Sequence, residues 1–460
     1  MSGNHPRRRA GAWLVALALA CAVAPPGAPG AATRERVRID GGRYTPLYRE
    51  PVRATPRNAP AAAISPDSIV RRVVAVDVRP FLLDRRPVTN ADFLEFVRAH
   101  PEWRRSRVSR LFADESYLRH WQQDLDPGVR APAASPVVYV SWFAARAYAA
   151  AQGGRLPEVA EWELVAAADE TRKDATRDPK FLARLREIYA RPATPILPAV
   201  GGPANAWGVQ DMHGLVWEWT LDFNSALVTG ESRADASLDR SLYCGAGASG
   251  AADFGDYAAF MRFAYRASLE ADYTTAQLGF RCAYDLQPVA SSVPATPRTA
   301  EPSLFELDFP LVDANGRERH LREFRGHPIV ASMIYTSCTS VCPRVTADLK
   351  ALERSLPADV RARTRFLLFS LDPARDTPAA LAKFAREHAL DASRWTLLAA
   401  READMRTLAA VLGVRFKPAG AEIAHTAQVV VVDGSGVIRH RRAGLSSDTA
   451  ELAEALRSAR

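Results

Sequence analysis

The residues with the clearest chemical purpose form the run Thr336-Ser337-Cys338-Thr339-Ser340-Val341-Cys342-Pro343. An apolar run of strand length, Ile329–Tyr335, precedes it, and Val345, Leu349, Leu352 and Leu356 follow at the spacing of one helical face. Two sulfurs at i and i+4 on a strand-to-helix turn come close enough to share an ion or to join as a disulfide. Free backbone N–H groups at the helix N-terminus favour the thiolate, the form that binds metal or attacks a disulfide. Soft thiolates suit Cu(I), and an added imidazole makes a three-coordinate site able to hold copper in either oxidation state. The third donor is expected from a distant loop. His425, in Ala424-His425-Thr426 just ahead of the strand Gln428–Val432, is placed for it. His320, His327, His388 and His440 fall on predicted loops or element ends without comparable context. Two other readings use the same sulfurs. One is a bracing disulfide, which would add little because the loop it closes is short. The other is metal-free thiol–disulfide exchange with client cysteines.

The elements around this run alternate. Phe366–Leu371 reads as a buried strand, Pro378–His388 as a helix capped by Thr377, and Glu402–Leu412 as a further helix. Gln428–Asp433 and Val437–His440 flank Gly434-Ser435-Gly436 as a hairpin, and Asp448–Ala459 closes as an amphipathic helix. Such alternation predicts an α/β domain. With Phe309-Pro310-Leu311, Gly316, the Cys-x-x-x-Cys-Pro loop, Ser370-Leu371-Asp372-Pro373-Ala374-Arg375-Asp376-Thr377-Pro378 and His425-Thr426, residues 304–460 resemble the Sco/SenC family of copper-binding, thioredoxin-like proteins. The resemblance implies Cys338, Cys342 and His425 as copper ligands, with Asp372 and Asp376 supporting the site or a partner contact. The family usually carries an acidic residue directly before the histidine, where this chain has Ala424. Members deliver copper to oxidase or other respiratory copper centres, or keep a target's cysteines reduced.

Residues 36–285 read differently, as a loop-rich α+β domain with short helices such as Ala91–Ala99, Phe143–Ala151 and Val159–Ala167. Ordered matches include Ile39-Asp40-Gly41-Gly42-Arg43-Tyr44, Pro136-Val137-Val138-Tyr139-Val140-Ser141-Trp142, Gly154-Arg155-Leu156-Pro157-Glu158, Gly214-Leu215-Val216-Trp217-Glu218-Trp219 and Leu278-Gly279-Phe280-Arg281-Cys282. They resemble the formylglycine-generating-enzyme (sulfatase-modifying factor) family, which implies its complex fold related to C-type lectins. Active members bind copper through two cysteines. Counting back from Arg262-Phe263-Ala264-Tyr265-Arg266 places these near Ala258 and Asp253, neither of which is cysteine. Without thiolates there is no soft copper site, so formylglycine-generating activity is not expected. The family's calcium sites imply Glu218 as a calcium ligand, although Leu215 stands where asparagine is usual. Cys282 keeps its family position and Cys244 replaces an arginine. A disulfide between them and two buried thiols both remain open.

The chain has 460 residues, 48% hydrophobic and 24% charged, enough for more than one core. Its net charge of +8 is dispersed, with no basic stripe interleaved with aromatics, so nucleic-acid binding is not expected. Arg7–Arg9 and the apolar Trp13–Ala24 form an export signal ending near Ala32; membrane attachment is expected only if Cys21 is lipidated. Residues 286–303, rich in Pro, Ser and Ala, read as a linker between the two domains. The combined expectation is an exported, periplasmic copper metallochaperone. An N-terminal domain would recognise the client, and the partner would be an exported copper enzyme of respiration or denitrification or its assembly factors. A periplasmic thiol–disulfide oxidoreductase is the alternative.

Overall fold

Ile329–Ile334 is buried along its whole length, the signature of a strand covered on both faces. In the computed structural model it is an interior strand of a seven-stranded mixed sheet. Residues 34–46, 50–53, 69–72, 75–286 except 193 and 226–256, and 302–459 except 340, 420, 421 and 447 are described. The export signal, Cys21, Cys244, Asp253 and nearly all of the linker lie outside them. Among the described residues no helix is long and apolar enough to cross a membrane.

The C-terminal sheet comprises β1 (Leu311–Asp313), β2 (Glu318–Arg319), β3 (Ile329–Ile334), β4 (Arg365–Ser370), β5 (Trp395–Ala399), β6 (Gln428–Val432) and β7 (Ile438–Ala443). Their order is β2-β1-β5-β4-β3-β6-β7. The three central strands β3, β4 and β5 run parallel, and helices make the crossovers. The helix after β3 spans Val341–Ser355, that between β4 and β5 spans Pro378–Glu387, and Glu402–Leu412 follows β5. Thr377 caps the second by accepting from the Ala380 N–H, with Pro378 in the first turn, as the sequence predicts. Glu402–Leu412 stops at Gly413, whose φ of 73° most side chains resist.

Strand direction positions the site. β6 runs antiparallel to β3, with Ser332 opposite Val429 and Ile329 opposite Val432. The start of β6 therefore lies beside the end of β3, so residues just before Gln428 meet the loop just after Ile334. Ligand sites form at such carboxyl ends of parallel strands. A hairpin absent from the sequence reading, Phe416–Ala419 paired with Glu422–His425, feeds into β6.

The N-terminal domain is α+β, as expected. Its helices are Asn90–Ala99, Trp142–Ala151, Val159–Ala166, Pro179–Tyr189 and Tyr257–Ser268. A small antiparallel sheet joins Arg36–Ile39, Phe81–Asp84 and Ala283–Asp285. Phe93 packs against Tyr148, Phe280 and Trp121. The three most deeply buried indoles each find an acceptor: Trp121 on Asn90, Trp142 on the Thr220 carbonyl and Trp219 on the Val140 carbonyl.

Two buried ion networks cross this domain. Glu163 takes Arg262 at 2.8 Å and Arg266 at 2.5 Å. Burial pushes the Glu163 carboxyl up, but the two guanidiniums outweigh it and hold it at about 2. Glu218 takes Arg281 through both oxygens at 2.8 Å and also accepts from the Trp162 indole. The calcium expectation for Glu218 finds no support here. Its carboxylate is buried and already charge-compensated by Arg281, whose guanidinium repels a divalent cation. Cys282 is buried in this core, while its proposed partner Cys244 lies outside the described residues.

The two domains touch directly. Glu35–Arg460 forms one compact unit, and a single apolar cluster runs through residues of both domains. The two domains, expected from the sequence to be joined by a linker, are therefore also docked on each other.

Candidate metal centre

Three donors converge at the end of β3. The Cys338 and Cys342 sulfurs and one ring nitrogen of His425 lie within 4.8 Å of one another, and all three residues are buried. His425 Nε2 stands 3.5 Å from Cys342 Sγ. The backbone N–H of Cys342 donates to Cys338 Sγ at 3.3 Å, an arrangement available because Cys342 sits in the first turn of Val341–Ser355.

The imidazole orientation is fixed from behind. His425 Nδ1 lies 3.0 Å from the Thr426 carbonyl, which can only accept, so Nδ1 carries the proton and Nε2 presents its lone pair to the sulfurs. The Tyr335 ring packs edge-on against the imidazole at 5.8 Å. His425 ends a strand rather than occupying a loop, so the hairpin Phe416–His425 delivers it on a braced backbone.

The thiolate expectation needs correction for Cys342. Burial, then the neighbouring Cys338, pushes its thiol well above the ordinary cysteine range. Desolvation wins over the helix N-terminus because Cys342 is 0% exposed and faces a second sulfur. A positive ion bound between the sulfurs would displace their protons.

Asp376 is brought to the site and Asp372 stands one step away. The Asp376 carboxylate accepts from the Thr336 N–H at 3.1 Å, the Thr336 hydroxyl at 2.6 Å and the Ser370 hydroxyl at 2.6 Å. It thereby ties the cysteine loop to the end of β4. Asp372 pairs with Arg375, and its N–H bonds the Ser370 hydroxyl. Thr336, Ser370 and Tyr335 were not singled out from sequence as support, since a lone hydroxyl or phenol carries no periodic signal. Asp376→Asn turns one acceptor into a donor facing donors, at a cost of about 1–3 kcal/mol. The expected result is a lower urea midpoint at unchanged m-value.

The remaining histidines of this domain are engaged elsewhere. His327 Nδ1 meets the Arg363 carbonyl, His388 packs on Phe384, His320 lies near Asp308 and Glu318, and His440 lies near Glu451.

The donor set fits a soft ion. Metal–ligand bonds of about 2.0–2.3 Å put the donors of a three-coordinate ion roughly 3.5–4 Å apart. The three donors here lie within 4.8 Å of one another, near that spacing. Among the described residues this is the one cluster of that kind. In the N-terminal domain, Ala258 stands where the family resemblance puts a catalytic cysteine. It is 2% exposed and lies in an apolar cluster with Phe181 and Leu185.

A buried dithiol–imidazole cluster on a thioredoxin-like sheet, docked to a loop-rich α+β domain, defines a two-domain protein of redox-active or metal-carrying type. Residues 24–286 match the sulfatase-modifying factor enzyme 1-like domain and residues 297–459 match SCO1/SenC. The chain belongs to the sulfatase-modifying factor family through its N-terminal part and carries a Sco/SenC domain at its C-terminal part. The inactive C-alpha-formylglycine-generating enzyme 2 of Bos taurus is 31% identical over 245 residues, 45% of this chain and 78% of its own length. The SCO1 protein homolog of Bacillus subtilis (strain 168) is 31% identical over 99 residues, 21% of this chain and 51% of its own length. The structure of Bradyrhizobium japonicum ScoI with copper bound is 23% identical, with a TM-score of 0.29, and the match covers 33% of this chain and 97% of that one.

Proposed function

We propose that this protein carries one copper ion as cargo on Cys338, Cys342 and His425 and hands it to an exported copper enzyme or its assembly factors. The observation that carries the reading is the convergence of two sulfurs and an Nε2 lone pair within 4.8 Å in a buried pocket. Soft sulfur donors favour Cu(I), and the imidazole lets the same site retain Cu(II). The N-terminal domain serves client recognition without formylglycine-generating chemistry, a reading supported by the alanine buried at position 258. The site of action is the periplasm or another exported compartment, and the client belongs to respiration or denitrification.

The test is a Cu(I) titration of the full mature chain against a chromophoric chelator, with His425→Ala alongside. Wild type is expected to take one ion per chain. The variant is expected to lose about tenfold or more in affinity, since even a partner behind a ligand is worth about 10–100-fold. Unchanged affinity in His425→Ala would remove the imidazole from the site. The oxidoreductase reading makes the opposite prediction, that His425→Ala keeps disulfide turnover and Cys338→Ser abolishes it.

A further inference from the structure

The strand that ends in His425 is held from the other domain. Phe223–Ser225 is a short helical turn of the N-terminal domain that packs on Phe416–Ala419. Within it, Asn224 is buried and its side-chain amide donates to the Val414 carbonyl at 3.1 Å. Val414 leads directly into Arg415, which Thr426 clasps twice. The Arg415 N–H donates to the Thr426 hydroxyl at 3.0 Å, and the Thr426 N–H donates to the Arg415 carbonyl at 2.9 Å. Phe416 then pairs across the hairpin with His425 itself. Thr426 also supplies the carbonyl that fixes the imidazole tautomer. The path from Asn224 to the metal ligand is thus a continuous run of hydrogen bonds and one peptide step.

A second clasp grips the preceding helix. Arg146, on Trp142–Ala151, donates to the Thr407 hydroxyl at 2.7 Å and to the Ala403 carbonyl at 3.4 Å, both on Glu402–Leu412. Its guanidinium lies over the Trp142 ring at 4.6 Å, so its direction is set by its own domain. The two clasps bracket the Gly413 turn between that helix and the hairpin. Asn224 and Arg146 are directional polar contacts; apolar packing alone would hold the domains together without fixing the angle of this segment.

We infer that Asn224, backed by Arg146, positions the His425 hairpin, so that the N-terminal domain tunes the copper site of its neighbour. The inference rests on the copper-carrier reading above. Anything that shifts the N-terminal domain on its partner, such as client binding, then reaches the imidazole directly and loosens the ion where it is to be handed over.

Asn224→Ala and Arg146→Met in the full mature chain test this, with Cu(I) affinity by chelator competition and Cu(II) electron paramagnetic resonance as readouts. Both variants should still bind one copper per chain. They should lose about fivefold or more in affinity, at the lower edge of ordinary site-to-site coupling, and show altered nitrogen hyperfine structure. Arg146→Met keeps the side-chain stem and contacts no residue of the hairpin, so it serves if Asn224→Ala folds poorly. Wild-type affinity and an unchanged resonance spectrum in either folded variant, even with a lowered melting temperature, would overturn the positioning role and leave the copper site standing. Absence of copper binding in wild type would instead sink both readings together.

Discussion

Cys342→Ser should reduce Cu(I) affinity by roughly 100-fold or more while leaving the fold in place. Structural metal sites with four protein ligands release about 10–16 kcal/mol, or about 3 kcal/mol per ligand, and each 1.4 kcal/mol is tenfold. Serine offers a hard, neutral hydroxyl where the ion needs a soft anion. Cys342 is also the sulfur that faces His425 Nε2, so its loss removes the donor that the imidazole complements. A serine hydroxyl fits the same volume and can donate to that nitrogen, which keeps the stability penalty small. Competition with a Cu(I) chelator reads the affinity, and circular dichroism reads the fold. Retention of wild-type affinity by Cys342→Ser would mean the ion sits elsewhere.

The second large effect concerns stability. Glu163→Ala should destabilise the N-terminal domain by about 3–5 kcal/mol, because Arg262 and Arg266 would remain buried without a counter-charge. At about 2–4 °C per kcal/mol for a domain of this size, the melting temperature should fall by about 10 °C. The same network gives an acid signature. The Glu163 carboxyl is held at about 2 in the folded state, below its ordinary value of 4.5. A depressed folded value contributes stability that is fully present above pH ~4.5 and is lost as pH falls towards 2. The contribution is about 3 kcal/mol at neutral pH, at 1.36 kcal/mol for each unit. Denaturation curves between pH 7 and pH 3 should show it in wild type and a flatter profile in Glu163→Ala. Identical profiles would show that the network does not govern acid stability.

The cysteine–histidine cluster was readable because its chemistry is local. Two cysteines at i and i+4 between an apolar strand and an amphipathic helix announce themselves, and His425 was legible from its place just ahead of a strand, a reading the Sco/SenC resemblance reinforced. The antiparallel pairing of β6 with β3, which brings His425 to the cysteines, is a long-range register that spacing alone does not state. The hairpin Phe416–His425 was missed because Lys417 and Pro418 break the alternation by which a strand is recognised. Trp395–Ala399 was missed because a five-residue run between a turn and a helix gives no clear period. Helix geometry promised an ionised Cys342; burial, which a sequence does not display, reversed it. Glu218 looked like a hard-ion ligand until Arg281, 63 residues on, was seen to occupy it. The clasp through Asn224 and Arg146 had no signature at all, since each is a single polar residue whose partner lies in the other domain.

The most direct test of the central claim is X-ray absorption on the full mature chain loaded with one Cu(I). Two sulfur scatterers and one imidazole nitrogen are predicted, with the nitrogen contribution lost in His425→Ala. A first shell made only of nitrogen and oxygen, or a spectrum indifferent to Cys338→Ser, Cys342→Ser and His425→Ala, would contradict it.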